Sequence, residues 1–592
     1  MEVELIVKNI RVYNSYFKKF INADVAIMDE KFIYIGKEYE GKLSAKEVVD
    51  GHGNYMIPGL IDIHMHIESS MIIPSEFSKA VIPHGVTTVV ADPHEIANVF
   101  GVEGIIAFIS KEEKIDIFYG IPSSVPSTSK EFETTGGFIS DKEVGELLAY
   151  PKVICLGEVM NFKDLIEEDD SNINRIINLI KREKNNFPIE GHCPKIEGLD
   201  LAMYIYRGVD GDHTQQSLKS IEEKISSGMF LEIQEKSMSQ ENMNYLRDNN
   251  LYEHFCLVTD DVMADKLTSG HLNKLVKKAM DMGISEENAI YVSTYTPARR
   301  MGLLDRGVIA PGKMADFILL EDVKEFKIHS VYKNGKVIYN KEECEGNSYS
   351  QINSKEGINT KETVKVKENK KEGFPRKFYN SIKLNSLNEE DFKVETPILN
   401  GELICRTMKV EQDTTFTEEG EVIIKSLNGE LQWEIKGCAL IVVFERYGKT
   451  KGKAFGIVDG NIIKEGAVAT TWAHDHHNLM VMGRNVKDMI AAANEVIKCK
   501  GGYAVANKGH ILGSAPLSIG GIVSDVPIEV LASQLKEIRK AMKELGYDHK
   551  NEIMSFSTLS LPVSPALKIT DKGLIDVKKQ EIVSLFKESS ER

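Results

Sequence analysis

Between residues 58 and 304 the chain repeats one grammar eight times: a short apolar run, then a longer segment with apolar residues at helical spacing. The runs are IDIHMH (61–66), TTVVAD (87–92), IDIFYG (115–120), VICLGE (153–158), FPIEGH (187–192), GVDGDH (208–213), MFLEIQ (229–234) and FCLVTD (255–260). Segments between them, such as SNINRIINLIKREKNN, carry the periodicity of a helix that buries one face. Strands that alternate with helices run parallel, because each helix crosses back over the sheet. Eight such units in about 250 residues predict a closed (β/α)8 barrel of the TIM type. The sixth run is the weakest strand by propensity, with two Gly and two Asp.

The flanks follow another pattern. Residues 1–57 are short alternating runs (VELIVKN, VAIMD, FIYIGK, YMIP) separated by turn-forming residues, as in a small β domain. After residue 305 alternation returns in GVIAPGKMADFILL and SVYKNGKVIYN, where KNGK signals a hairpin. We expect 305–345 to pair with 1–57 in a composite small β domain drawn from both flanks of the barrel at 58–304. Residues 346–375 are polar and rich in Lys and Glu, the composition of a linker. Residues 376–592 mix strand-like and helical stretches and read as an additional C-terminal α+β domain. Division into several cores is expected for 592 residues.

The net charge of −16 argues against a nucleic-acid or anionic-membrane footprint, which needs clustered Lys and Arg. None of the 7 Cys sits in a CxxC pair, so neither a disulfide framework nor a thiolate zinc knuckle is expected. The N-terminal run lacks the features of a signal peptide, and no stretch is apolar for the roughly eighteen residues a membrane span needs. The expected location is the cytoplasm.

Chemistry concentrates at the ends of the runs. His64 and His66 are two apart, so in a strand both imidazoles face one way. Glu158 ends the fourth run, His192 the fifth, His213 the sixth and Asp260 the eighth. Barrel active sites lie at the C-terminal strand ends, so these residues converge on one mouth. Taken singly, each has a bland reading: a strand-end His is commonly structural, and Asp after an apolar run is commonly a helix N-cap, a role open to Asp261. Taken together, imidazoles and carboxylates are the donors that hydrolytic transition metals take. Six donors suit two divalent ions. We expect His64 and His66 on the first, His192 and His213 on the second and Glu158 bridging, with Asp260 on the first and also acting as general base.

Two further clusters stand out. DPHEIANVFG puts His94 and Glu95 just after the second run. WAHDHHN, far downstream, contains His474 and His476, which in a strand would chelate from one face. If the C-terminal domain covers the mouth, these four residues form an expected secondary site, in which the loop closes the mouth or holds an extra metal with His94. The alternative is an exposed polar loop.

PGLIDIHMHIESS and the later GVIAPGKMADFILL resemble the amidohydrolase superfamily. DPHEIANVFG, Gly157-Glu158, EGHCP, GDHT, TDDVMADKLTSGHLN, AHDHHN and LPVSPALKITDKGLIDV are, together, similar to bacterial adenine deaminases over about residues 3–580. Where many relatives bridge their metals with a carboxylated Lys, this chain has Glu158. The resemblance implies hydrolytic deamination of adenine to hypoxanthine and ammonia, in purine salvage, by a hydroxide bridging two metals, Mn or Fe. It also calls for a neutral acid to protonate N1, for which Glu68, Glu95 and Asp261 are candidates. Ser69 and Ser70 either line a purine pocket or are ordinary loop hydroxyls. A homo-oligomer, dimer or tetramer, is expected, with a small molecule as the only other partner. The alternatives are another cyclic amide or amidine hydrolase on the same scaffold, and a barrel that has lost its metals, which the filled ligand positions disfavour.

Overall fold

The computed structural model describes residues 1–111, 113–342, 373–412 and 414–587. The expected linker, through residue 372, lies outside the described residues. The N-terminal flank forms β1 (Glu2–Asn14), β2 (Lys19–Met28), β3 (Lys31–Gly36), β4 (Ser44–Asp50) and β5 (Tyr55–Pro58).

All eight apolar runs then form strands: β6 (Leu60–Met65), β7 (Val86–Ala91), β8 (Asp116–Ile121), β9 (Val153–Val159), β10 (Ile189–Gly191), β11 (Gly211–Asp212), β12 (Phe230–Ile233) and β13 (Phe255–Leu257). Strands β6 to β10 pair in sequential parallel order, as do β11 to β13. The two arcs meet where the Asp210 N–H donates to the Ile189 carbonyl at 3.1 Å, and again where the Asp260 N–H donates to the His64 carbonyl at 3.1 Å. The sheet is a TIM-like barrel. Its sixth strand is only Gly211–Asp212, in keeping with the low propensity of that run. The intervening segments are helices with ordinary local causes. In Asn172–Glu183, Ser171 caps the first turn and Ile173, Ile176, Ile177 and Ile180 form the buried stripe.

Beyond the barrel, β14 (Phe317–Asp322), β15 (Lys327–Lys333) and β16 (Lys336–Asn340) return to the N-terminal sheet. The strand order is β16-β15-β14-β5-β1-β2-β3, with β4 also on β1. β14 runs antiparallel to β5, Phe317 opposite Pro58. The KNGK hairpin turns through Asn334 and Gly335, whose φ values of 52° and 74° suit the two central positions of a type I′ turn.

The C-terminal residues build a nine-stranded sheet from β17 (Gly401–Val410), β18 (Thr417–Leu427), β19 (Glu430–Leu431), β20 (Ala439–Phe444), β21 (Lys453–Gly460), β22 (Ala467–Thr470), β23 (Leu479–Gly483), β24 (Gly502–Asn507) and β25 (His510–Pro516). Helix Val486–Lys498 packs Met489, Ala492, Ala493 and Val496 against Ala467 and Ala504 of this sheet. One apolar core runs from the barrel into this region, joining Met71, Ile72 and Ile96 to Trp472, Ile519, Val523 and Leu535. Polar ties fix the junction. Arg539 Nε donates to Asp265 Oδ2 at 2.8 Å, and the Asp571 carboxylate accepts the Thr134 backbone N–H at 2.9 Å and its hydroxyl at 2.7 Å. The segment 472–478 is thereby buried against the barrel mouth rather than exposed.

Candidate metal centre and active site

Glu158, at the end of β9, is the hub. Its Oε1 lies 3.4 Å from His66 Nε2 and 3.5 Å from His94 Nδ1. Its Oε2 lies 2.7 Å from His192 Nδ1 and 3.3 Å from His213 Nε2. The two oxygens therefore face different sets of imidazoles. Burial alone would push this carboxyl up, but His213 and His192 beside it hold it well below the usual carboxylate range.

Asp260 follows β13 with φ at 58°, a left-handed conformation that Asp tolerates better than most residues. Its Oδ1 lies 3.5 Å from His66 Nε2 and 3.9 Å from His64 Nε2. The His64 and His213 rings stack with centroids 3.7 Å apart. All six expected ligands thus meet at one mouth. His64, His66, His213, Glu158 and Asp260 are buried, and His192 is the partly exposed member.

The donor chemistry fits divalent cations. His66 Nδ1 lies 3.0 Å from the Asp92 carbonyl oxygen. A carbonyl only accepts, so Nδ1 carries a proton, and in the neutral imidazole Nε2 keeps its lone pair toward Glu158 and Asp260. His64 Nε2, His94 Nδ1 and His213 Nδ1 are buried without a hydrogen-bond partner. Such groups are costly unless something completes them. Several His/Asp/Glu triplets here, including His64–His66–Glu158 and Glu158–His192–His213, have donor atoms close enough to share an ion.

The secondary cluster differs from expectation in one residue. Glu95 Oε1 lies 2.8 Å from His474 Nε2, and Glu95 Oε2 contacts His477 Nε2. His476 does not share that face. Its Nδ1 accepts the Asn478 backbone N–H at 3.0 Å. The expectation assumed a strand, in which i and i+2 coincide. Here the chain turns, with the His477 N–H donating to the Ala473 carbonyl at 2.8 Å. His94 stands between the clusters, its Nε2 3.7 Å from Glu95 Oε1.

The three acid candidates separate by their partners. Glu95 is buried, a state that raises a carboxyl, yet His474 and His477 hold it well below its usual range. Asp261 accepts a hydrogen bond from Ser69 Oγ at 2.5 Å and does not cap the next helix, which starts at Ala264 after Met263. Glu68 accepts the Ile96 N–H through Oε1 at 3.1 Å, leaves Oε2 without a partner, and is pushed up to about 7 by burial. Ser70 Oγ donates to the Ile67 carbonyl, an ordinary turn contact.

Three residues in contact with these clusters are not among the sequence candidates. Asp92 ends the second run, and its Oδ2 accepts the Glu158 backbone N–H at 2.8 Å. Glu232, fully buried in β12, lies 3.8 Å from His64 Nδ1. The third is His477. A Glu inside an apolar run, and an Asp at a run end two residues before a His, were the available signals.

Comparison with known proteins decides the family. Residues 55–338 match the profile described as "Amidohydrolase family", and residues 414–581 match "Adenine deaminase C-terminal domain". A Clostridium perfringens protein named adenine deaminase is 62% identical over 588 residues, covering 99% of this chain and 100% of that one. The chain belongs to the adenine deaminase family. Other relatives span the same length: an adenine deaminase 2 of Shouchella clausii at 48% identity and an adenine deaminase of Lactobacillus delbrueckii subsp. bulgaricus at 46%, each covering 99% of both chains. Within this adenine deaminase family member, both matched regions contribute to the mouth: the barrel brings Glu158 and Glu95, and the C-terminal domain brings His474 and His477.

Proposed function

We propose that the protein hydrolyses adenine to hypoxanthine and ammonia at a pair of divalent cations, Mn or Fe, held in the barrel mouth. The observation that carries this is the end-to-end 62% identity to a relative named adenine deaminase. The two-sided surroundings of Glu158 support the metal pair. His64 and His66 would hold one ion, His192 and His213 the other, with Glu158 between them and Asp260 on the first. When bound, such a pair acidifies a water and polarises the substrate.

Asp260 takes the proton that the water loses and returns it to the departing amine, a role suited to a carboxylate held ionised beside His66. Glu68 donates to ring N1 and regains a proton when the C6 hydroxyl collapses to the carbonyl. It is the candidate whose second oxygen is buried and free, whereas Glu95 is engaged by two imidazoles and Asp261 by Ser69. On this reading residues 58–304 are the catalytic barrel, 1–57 with 305–345 the small β domain, 346–375 a linker, and 376–592 a domain that closes the mouth. The enzyme works as a cytoplasmic homo-oligomer in purine salvage. Among the described residues no helix is long and apolar enough to cross a membrane.

The test is conversion of adenine followed by ultraviolet absorbance, with ammonia assayed in parallel. Ammonia release matched to hypoxanthine supports the proposal. Ring opening of a hydantoin or dihydroorotate, without turnover of adenine, would move the substrate to another cyclic amide or amidine.

A further inference from the structure

Glu95 lies in the first turn of helix His94–Phe100, on the side of the mouth that the C-terminal domain covers. Glu95, His474 and His477 are all at least nine-tenths buried. The tautomer of His474 follows from its neighbours. Ser557 Oγ donates its single proton to the Trp472 carbonyl at 2.6 Å. It therefore accepts from His474 Nδ1, also at 2.6 Å. That leaves the lone pair on His474 Nε2, which faces Glu95 Oε1 at 2.8 Å. At this separation the two atoms need a positive charge between them, supplied either by a second proton on Nε2 or by a metal cation against both.

His477 Nε2 lies against the other oxygen of Glu95, and its Nδ1 has no hydrogen-bond partner. Asp475 Oδ2, between the two histidines in sequence, is also buried and unpartnered. The turn that presents them is held from behind. The buried Arg446 donates Nε to the His477 carbonyl, Nη1 to Ser381 Oγ at 2.8 Å and Nη2 to the Gly520 carbonyl at 2.7 Å, and Tyr447 OH donates to the His476 carbonyl at 2.6 Å. A rigid second layer of this kind is what fixes metal ligands in orientation.

We propose that Glu95, His474 and His477 bind a further divalent transition-metal cation, separate from the pair around Glu158. Two imidazoles favour a first-row transition ion such as Fe or Zn, with Mn held more weakly, over Mg or Ca. The cation clips the segment 473–477 to the helix that begins at His94 and so fastens the C-terminal domain over the mouth. His94 forms the wall between the sites, with Nδ1 3.5 Å from Glu158 and Nε2 3.7 Å from Glu95. The proposal does not depend on the reaction assigned above.

The test is metal content per folded chain, by elemental analysis of full-length protein prepared with excess Mn and desalted. The doubly substituted His474→Gln/His477→Gln protein is expected to carry one equivalent fewer than the wild type and to keep the metals lost in Glu158→Gln. An equal count in wild type and the double variant would overturn the proposal and leave a proton shared between His474 and Glu95. If the double variant does not fold, anomalous diffraction at the Mn edge from wild-type crystals decides. A peak among Glu95, His474 and His477 supports the site, and its absence beside peaks at Glu158 refutes it. Failure of the pair would instead appear as no loss of metal in Glu158→Gln.

Discussion

Asp92 Oδ2 accepts the backbone N–H of Glu158 at 2.8 Å, so the end of β7 sets the position of the carboxylate at the end of β9. Gly157 makes this possible, because a Cβ there would lie 2.3 Å from the same Asp92 oxygen. The Asp92 carbonyl meanwhile orients His66. One residue thus supports two of the proposed ligands without occupying a ligand position in the expected set. Asp92→Ala should weaken metal retention by about 10–100-fold, the usual cost of losing an outer partner. Chelator competition on the folded protein measures this. Unchanged retention would show that Glu158 is held by its strand alone.

Glu68 tests the proton assignment. Its carboxyl is buried and pushed up to about 7, with one oxygen held by the Ile96 N–H. Glu68→Gln keeps shape and burial but removes the transferable proton. We expect kcat on adenine to fall by about 10²–10⁴-fold, the range for lost general acid catalysis, with KM little changed. Steady-state kinetics at saturating metal would check it. A variant within a few-fold of wild type would transfer the role to Asp261.

Lys568 gives a stability signature away from the metals. Its amine is buried, donates to the Thr415 carbonyl at 2.9 Å, and is pushed down from the ordinary lysine value of 10.5 to about 7 by desolvation. Between those values the unfolded chain binds the proton and the folded chain does not. Unfolding then takes up a proton, so stability rises with pH across that window and levels off below its lower edge. Lys568→Met should remove this slope, an effect of roughly a few kcal/mol over the full window. Melting temperatures of both proteins at pH near 7 and near 9 would show it, with the wild type gaining relative to the variant at the higher pH. Parallel shifts would mean that the Lys568 amine stays charged when buried.

The barrel was legible because its strands are short apolar runs with chemistry at their ends, and parallel strands buried on both faces show this pattern clearly. The convergence of His64, His66, Glu158, His192, His213 and Asp260 on one mouth follows from the same rule, since position at a strand end is a sequence property. His476 and His477 exchanged places because the rule of alternation holds only in an extended chain, and the segment 473–477 is a tight turn. Glu232 and Asp92 stayed hidden for another reason. A single acid in or after an apolar run looks like a solvated side chain or a cap, and only tertiary contact with His64 or Glu158 reveals otherwise. The meeting of Glu95 with His474 joins residues distant in sequence, and the motifs suggest it only on the condition that the C-terminal domain covers the mouth.

If Glu158 spans two metal ions at which adenine is deaminated, removing its charge costs both the metals and the reaction. The most direct measurement is adenine turnover, with metal content, for wild type and Glu158→Gln prepared identically with Mn. Ammonia and hypoxanthine are expected in equal amounts from the wild type, with loss of both turnover and paired metals in the variant. Full metal content with undiminished turnover in Glu158→Gln, or a fully metallated wild type inert toward adenine, would contradict it.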